Sequence, residues 1–107
     1  MPELPLLADA SARALASLVG IGCRSGDTVV GLSAVRRTDG LAFVFAGSEL
    51  AKRTLRELAC KPGAMVYQVA DMQQLTGAFG REDAQIVGVK RGDLANGLSK
   101  RLEEETP

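Results

Sequence analysis

Apolar residues recur along the chain at two spacings, and the alternation between them lays out the elements. Leu4, Leu7, Ala8, Leu15, Leu18 and Val19 form one stripe at helical spacing, with Pro5 acceptable in a first turn. Gly20 and Gly22 are expected to stop this helix, and residues 21–24 make at most a short edge strand. Ser25-Gly26-Asp27-Thr28 carries N-cap chemistry, so a second helix is expected with Val29, Leu32 and Val35 on its inner face. Thr38-Asp39-Gly40 ends it. Leu41-Ala42-Phe43-Val44-Phe45-Ala46 is a continuous apolar run between turn residues, the pattern of a strand covered by helices on both faces.

Beyond that strand, Ser48 is the expected N-cap of a third helix, with Glu49 in its first turn and Lys61 just past its end. Leu50, Ala51, Leu55, Leu58 and Ala59 should face inward, and Glu49, Arg53 and Glu57 should form an i,i+4 ladder in water. Pro62-Gly63 breaks the helix. A strand follows over 64–69. Asp71 is then expected to cap a short helix holding Leu75, Ala78 and Phe79, and Gly80-Arg81-Glu82-Asp83 reads as a charged loop. A last strand spans Ala84 to Val89, and Leu94, Leu98 and Leu102 at i, i+4, i+8 make the final helix. The order α-β-α-β-α-β-α-β-α means a sheet held between helical layers. The reading is one domain over 1–107, folded over 4–102, with 103–107 as a solvated acidic tail.

Composition narrows the chemistry. The chain of 107 residues is 46% apolar and carries thirteen Lys+Arg against thirteen Asp+Glu, with neither histidine nor tryptophan. His-based acid/base catalysis, Cys–His nucleophiles and ordinary zinc sites are thereby removed. No apolar run approaches the roughly 20 residues of a membrane helix. The first residues lack the basic n-region of a signal peptide. Two cysteines in a chain long enough to build a core read as reduced thiols, so a cytoplasmic location is expected. Cys60 should be slow towards alkylation at the apolar end of its helix, and Cys23 faster in a loop.

Most candidate sites dissolve on inspection. Gly20 to Gly26 lacks a preceding strand, the G-x-G-x-x-G spacing and a Gly-Lys-Ser/Thr ending, so it reads as a turn instead of a phosphate cradle. Cys23 and Cys60 lack C-x-x-C spacing. The acidic pairs have no signalled partner for acid/base work. Charge distribution is more informative. Residues 24–61 carry seven basic side chains (Arg24, Arg36, Arg37, Lys52, Arg53, Arg56, Lys61) against four acids (Asp27, Asp39, Glu49, Glu57). A local phosphate-facing patch would look like this, and so would a solvated helix face.

The order of the pieces resembles the ribosomal L-seven-Ae / L-thirty-e family, nearest to its small bacterial ribosome-associated members. The likeness is carried by Ser25-Gly26-Asp27, the strand 41–46, Leu75 to Glu82, and Val87 to Asn96. It implies an α/β fold, a three-layer α/β/α sandwich around a four-stranded mixed sheet. It also implies binding of kink-turns and related irregular RNA, without catalysis and without metal, cofactor or membrane. The family's RNA surface is built from the start of the second helix, the loop after the second strand and the loop before the last strand. Those correspond here to Arg24–Thr28, Gly47-Ser48-Glu49 and Gly80–Ala84.

On this reading Arg24, Lys52, Arg53 and Arg81 contact phosphates, Gly26, Thr28 and Ser48 supply backbone or hydroxyl donors, and Ser25 and Gly80 complete the RNA-binding surface. The chain departs from the family's glycine-x-asparagine-glutamate signature and its lysine a turn later. On this register Gly26 is followed by Asp27, Thr28 and Val29, and later by Gly31, Leu32 and Ser33. Two lost base contacts at about 1–3 kcal/mol each make weak binding the expectation, to a structured RNA such as ribosomal RNA. The alternative is a protein-protein interaction module on the same scaffold, using Val29, Gly31 and Leu32 as an exposed apolar contact.

Overall fold

Seven consecutive residues, Leu41–Gly47, form the central strand of the sheet, and all but Ala42 are buried. Such a strand needs cover on both faces, and helices supply it. The computed structural model describes residues 6–60, 63–77 and 84–105. Leu4, Pro5, Lys61, Pro62, Ala78, Phe79, the loop 80–83 and the last two tail residues fall outside them. In chain order the elements are β1 (Leu6–Leu7), α1 (Asp9–Ser25), β2 (Thr28–Val30), α2 (Leu32–Arg37), β3 (Leu41–Gly47), α3 (Lys52–Ala59), β4 (Met65–Val69), α4 (Gln73–Thr76), β5 (Ile86–Lys90) and α5 (Asp93–Glu105). The sheet has five strands in the order β1-β4-β3-β5-β2. β4 pairs in parallel with β1 and β3, and β5 is antiparallel to β3 and β2. Strands β1 to β4 therefore point one way and β5 alone is reversed.

The two faces carry separate cores. Phe43 and Phe45 pack with Leu15, Val19, Leu75 and Leu98 of α1, α4 and α5. Val44 and Ala46 pack with Val35, Leu55 and Leu58 of α2 and α3. Phe43, Phe45 and Tyr67 stack across β3 and β4 with ring centroids 5.9–6.4 Å apart. Leu41 should share the face of Phe43 by strict alternation. The register slips between them, so Leu41 turns to the Val44 side and lies over Gly88, which has no Cβ to obstruct it.

The layered α/β reading holds at that level, but the first thirty residues fold differently from their pattern. Leu6 and Leu7 pair with Gln68 and Val69 as a fifth strand where a helix was expected, because Leu7 fills the core beside Val69. Gly20 and Gly22 do not stop α1, which runs to Ser25. Each costs about 1 kcal/mol of helix propensity, and burial of Ala12, Leu15, Ala16 and Val19 along one stripe outweighs it. The 21–24 segment is accordingly helix, not an edge strand. Ser25-Gly26-Asp27 ends α1 instead of starting a helix. Gly26 adopts the left-handed C-cap at φ 87°, and the Ser25 hydroxyl donates to Asp27 Oδ2 at 2.9 Å. Val29 consequently lies on a strand.

Helix α3 also starts later than expected. Ser48 sits in a turn closed by the Leu50 N–H donating to Gly47 O, and Ala51, which is exposed, replaces it as N-cap. The Glu49–Arg53–Glu57 ladder gives way to a longer-range pair. Glu57 accepts both Nε and Nη2 of Arg36, the second at 2.8 Å, and ties α3 to α2. The hydrogen bonds from Arg36 hold the Glu57 carboxyl below its usual range, so any stabilisation it adds is present above about pH 4.5 and lost as the group protonates below that. The N-cap of α4 is Met72 where Asp71 was expected, and Asp71 just before it accepts the Gln73 N–H through Oδ1 at 3.1 Å. The acidic segment 103–105 is the last turn of α5 and not a tail.

A side chain at Gly22 would meet Thr28 Oγ1 and Leu94 Cδ2, so this glycine lets α1 approach β2 and α5. Gly22→Ala should lower stability by about 1–3 kcal/mol despite its better helix propensity, read as a lower urea midpoint at unchanged slope. A higher midpoint would show that the helices separate freely. The thiols should react in the opposite order to the one their spacing suggests. Cys60 is exposed at the end of α3, whereas Cys23 is half-buried in α1, so Cys60 is expected to alkylate first in a mass-spectrometric time course.

Candidate functional site

Because β1 to β4 all point one way, the helices that follow them all begin at one edge of the sheet. There α1 follows Ala8, α2 follows Gly31, α3 follows the turn 48–51 and α4 follows Asp71 and Met72. Helix N-termini present unpaired N–H groups and partial positive charge, so this edge favours anions and acceptor groups. In open α/β sheets, ligands sit at the carboxyl ends of strands where neighbouring strands send their connections to opposite faces. Strands β3 and β4 are such a pair. The helix after β3 packs on the Val44 side through Leu55 and Leu58, and the helix after β4 packs on the Phe45 side through Leu75.

A polar cavity of about 310 Å³ opens at that crevice, lined by Ser48, Glu49, Ala70, Asp71, Met72, Gln73 and Gln85. Its walls are fixed by backbone. The Gly47 N–H donates to Gln85 O at 2.8 Å and the Ser48 N–H to Val69 O at 3.0 Å. Gln85 folds its side chain over Gly47, where a Cβ would collide with Oε1. Asp71 Oδ2 accepts from Gln74 Nε2 at 3.2 Å, and Arg13 of α1 donates to Gln74 Oε1 at 3.0 Å, bracing the α4 wall. Met72, nearly buried, forms the floor. The polar lining supplies one hydroxyl, two amides and two carboxylates, a set suited to reading hydrogen-bond donors and acceptors. Among the described residues no cluster of three or more His, Cys, Asp or Glu side chains could hold a metal ion. No helix described is long and apolar enough to cross a membrane.

The expected site residues are divided between the two ends of the sheet. Ser48 lies at the carboxyl edge, and Lys52 and Arg53 are exposed in the first turn of α3 beside it. Arg24, Ser25, Gly26 and Thr28 lie at the opposite end, where Thr28 pairs with Val89 and the Lys90 N–H donates to Asp27 O. Val89 and Gln85 are four residues apart on or beside β5, about 13 Å of extended chain. The two groups therefore stand at opposite ends of the sheet. Arg24 stands at a helix C-terminus, the negative end of the dipole, and Thr28 is buried with its Oγ1 unpartnered. Gly80 and Arg81 lie outside the described residues.

The expected apolar contact is also corrected. Val29 and Leu32 are half-buried and pack on the core of the α2–α3 face, while Gly31 links β2 to α2 at φ 99°. Glu49 falls within the expected loop Gly47-Ser48-Glu49, whereas Asp71, Gln73 and Gln85 were not singled out as contacts from the sequence. Their shared signal is position, since each lies just after a parallel strand or just before the reversed one. A second concavity, about 430 Å³ and mainly apolar, lies near the amino ends of β3 and β4 between Phe43, Met65, Tyr67 and Leu102.

No family profile and no curated protein matches the chain. Among solved structures, the chain is similar to a protein of unknown function from Bacillus halodurans C. The two share 24% sequence identity and a TM-score of 0.65 over 83% of this chain and 96% of the other. That likeness is one of fold.

Proposed function

We propose that this chain binds structured RNA without catalysing a reaction on it, seating an extruded base in the cavity between the ends of β3 and β4. The polar cavity at this crossover point carries the reading. RNA bases that leave their stack expose edges a protein can hydrogen-bond, which a regular A-form helix withholds. Gln73, Gln85 and Ser48 can donate and accept, and Glu49 and Asp71 can accept from an exocyclic amine. Lys52 and Arg53 stand where the phosphates flanking such a base would pass.

The resemblance to the L-seven-Ae / L-thirty-e family adds support once its register is moved. The glycine that leads the second helix is Gly31, whose N–H donates to Ile86 O at 2.8 Å. Gly31-Leu32, Gly47-Ser48-Glu49 and Ala84-Gln85 then all belong to the carboxyl edge. The asparagine and glutamate of the signature fall on Ser33 and Ala34, and the lysine a turn later falls on Arg37. The cation is kept and the two base-reading groups are absent, which favours weak binding to a standard kink-turn.

Two experiments bear on this. A labelled RNA hairpin with one extruded base should bind with micromolar affinity and lose at least tenfold with Gln85→Ala. Its fully paired counterpart should be insensitive to that change. Equal binding of both hairpins, with Gln85→Ala neutral, would remove the base pocket. Restoring Ser33→Asn with Ala34→Glu should tighten kink-turn binding tenfold or more, since each recovered base contact is worth about 1–3 kcal/mol. A nanomolar wild-type complex, unimproved by these changes, would show that another surface reads the RNA.

A further inference from the structure

The chain is neutral overall, yet the sheet sorts its charges onto two faces. Helices α2 and α3, which share one face, carry Arg36, Arg37, Lys52, Arg53 and Arg56 against Glu57 alone. Helices α1, α4 and α5 on the other face carry four basic residues against five acidic ones. All five cations of the first face are exposed. Only Arg36 forms an ion pair among the described residues, to Glu57. Lys52 and Arg56 are four residues apart, on one row of α3, and the Arg36–Glu57 pair ties α2 to that helix. We infer that this face binds the phosphate backbone of an RNA duplex that continues from the base held at the carboxyl edge.

Three observations select that partner. Four of the five cations are arginines, whose planar forks suit phosphate oxygens. The exposed positions of α2 and α3 are Ser33, Arg36, Arg37, Lys52, Arg53, Arg56 and Glu57, so there is no apolar side chain to enter a lipid interface and no aromatic to stack a single-stranded base. The exposed large apolar side chains among the described residues, Leu6, Ile21 and Met65, all lie on other elements. Finally, the first turn of α3 adjoins Ser48 and Glu49 of the cavity, so an RNA leaving the cavity meets this face without a break.

The inference rests on the RNA reading, and two probes separate their failures: an uninterrupted 20-base-pair RNA duplex, and the same duplex with one extruded base. Arg53→Glu with Arg56→Glu should weaken binding of both probes at least tenfold in low salt. The slope of log affinity against log salt should become shallower by roughly two contacts, each worth about 0.7–0.9. Lys100→Glu with Arg101→Glu, the same charge change on the opposite face, should alter either affinity less than twofold. Glu57→Gln releases Arg36 and should tighten duplex binding two- to threefold, a gain that misfolding cannot imitate. If the extruded base is preferred but the α3 reversal changes nothing, the duplex surface is refuted and the base pocket stands. Duplex binding that is sensitive to the reversal but blind to the extruded base leaves the surface standing and refutes the pocket. Binding of phosphatidylserine vesicles through Arg53 and Arg56, with neither RNA bound, overturns both.

Discussion

Burial of β3 on both faces is the constraint from which the remaining architecture follows. A strand with Phe43 and Phe45 on one side and Val44 and Ala46 on the other cannot face water on either side. Cover must come from helices, and each helix must cross over to reach the next strand. Because β4 is parallel to β3, the connection between them spans the length of the sheet, and α3 fills it. The same holds for the strands at the sheet's margins. The result is one edge where α1 to α4 begin, and an opposite edge where α1, α2 and α3 end and α5 begins.

That polarity makes the two edges unlike. The edge with helix N-termini carries open N–H groups, a polar cavity and the cations of the first turn of α3. The opposite edge is closed by tight turns: the left-handed Gly26, the Asp27–Lys90 backbone bond, and the Arg91 N–H donating to Gly40 O. Thr28 at that edge is buried against Gly22, while Arg24, Ser25 and Gly26 stand exposed beside it.

How much of this was legible depended on whether a residue's role was local. The run 41–46 could be read directly, since unbroken burial leaves an unbroken apolar signature. The last helix was equally plain from Leu94, Leu98 and Leu102. Gly22 misled because its value lies in contact with Thr28 and Leu94, which no neighbour in sequence reveals. Ser25-Gly26-Asp27 misled because the same residue types start helices through their side chains and end them through the left-handed glycine. That single reversal shifted the second helix by several residues and set Arg24, Ser25, Gly26 and Thr28 at the opposite end of the sheet from Ser48. Ser48, Lys52 and Arg53 lie at the carboxyl edge because they follow the strand that was read correctly. Gln85 and Asp71 were out of reach, since their proximity depends on which strands are neighbours.

The strand order also bears on how the chain can be assembled as it leaves a ribosome. β1 and β2 are the first strands made, yet they occupy the two opposite margins of the sheet. β1 pairs only with β4, and β2 only with β5, so each waits for roughly sixty further residues before it has a ladder to join. Until then α1, with Leu15 and Val19 on its apolar stripe, has no sheet to cover. The β3–α3–β4 unit is the earliest stretch that contains its own parallel partner, and the loop it must close is short. The beginning of the chain thus settles only after β4 has been made for β1, and β5 for β2, and its apolar surface stays exposed until then.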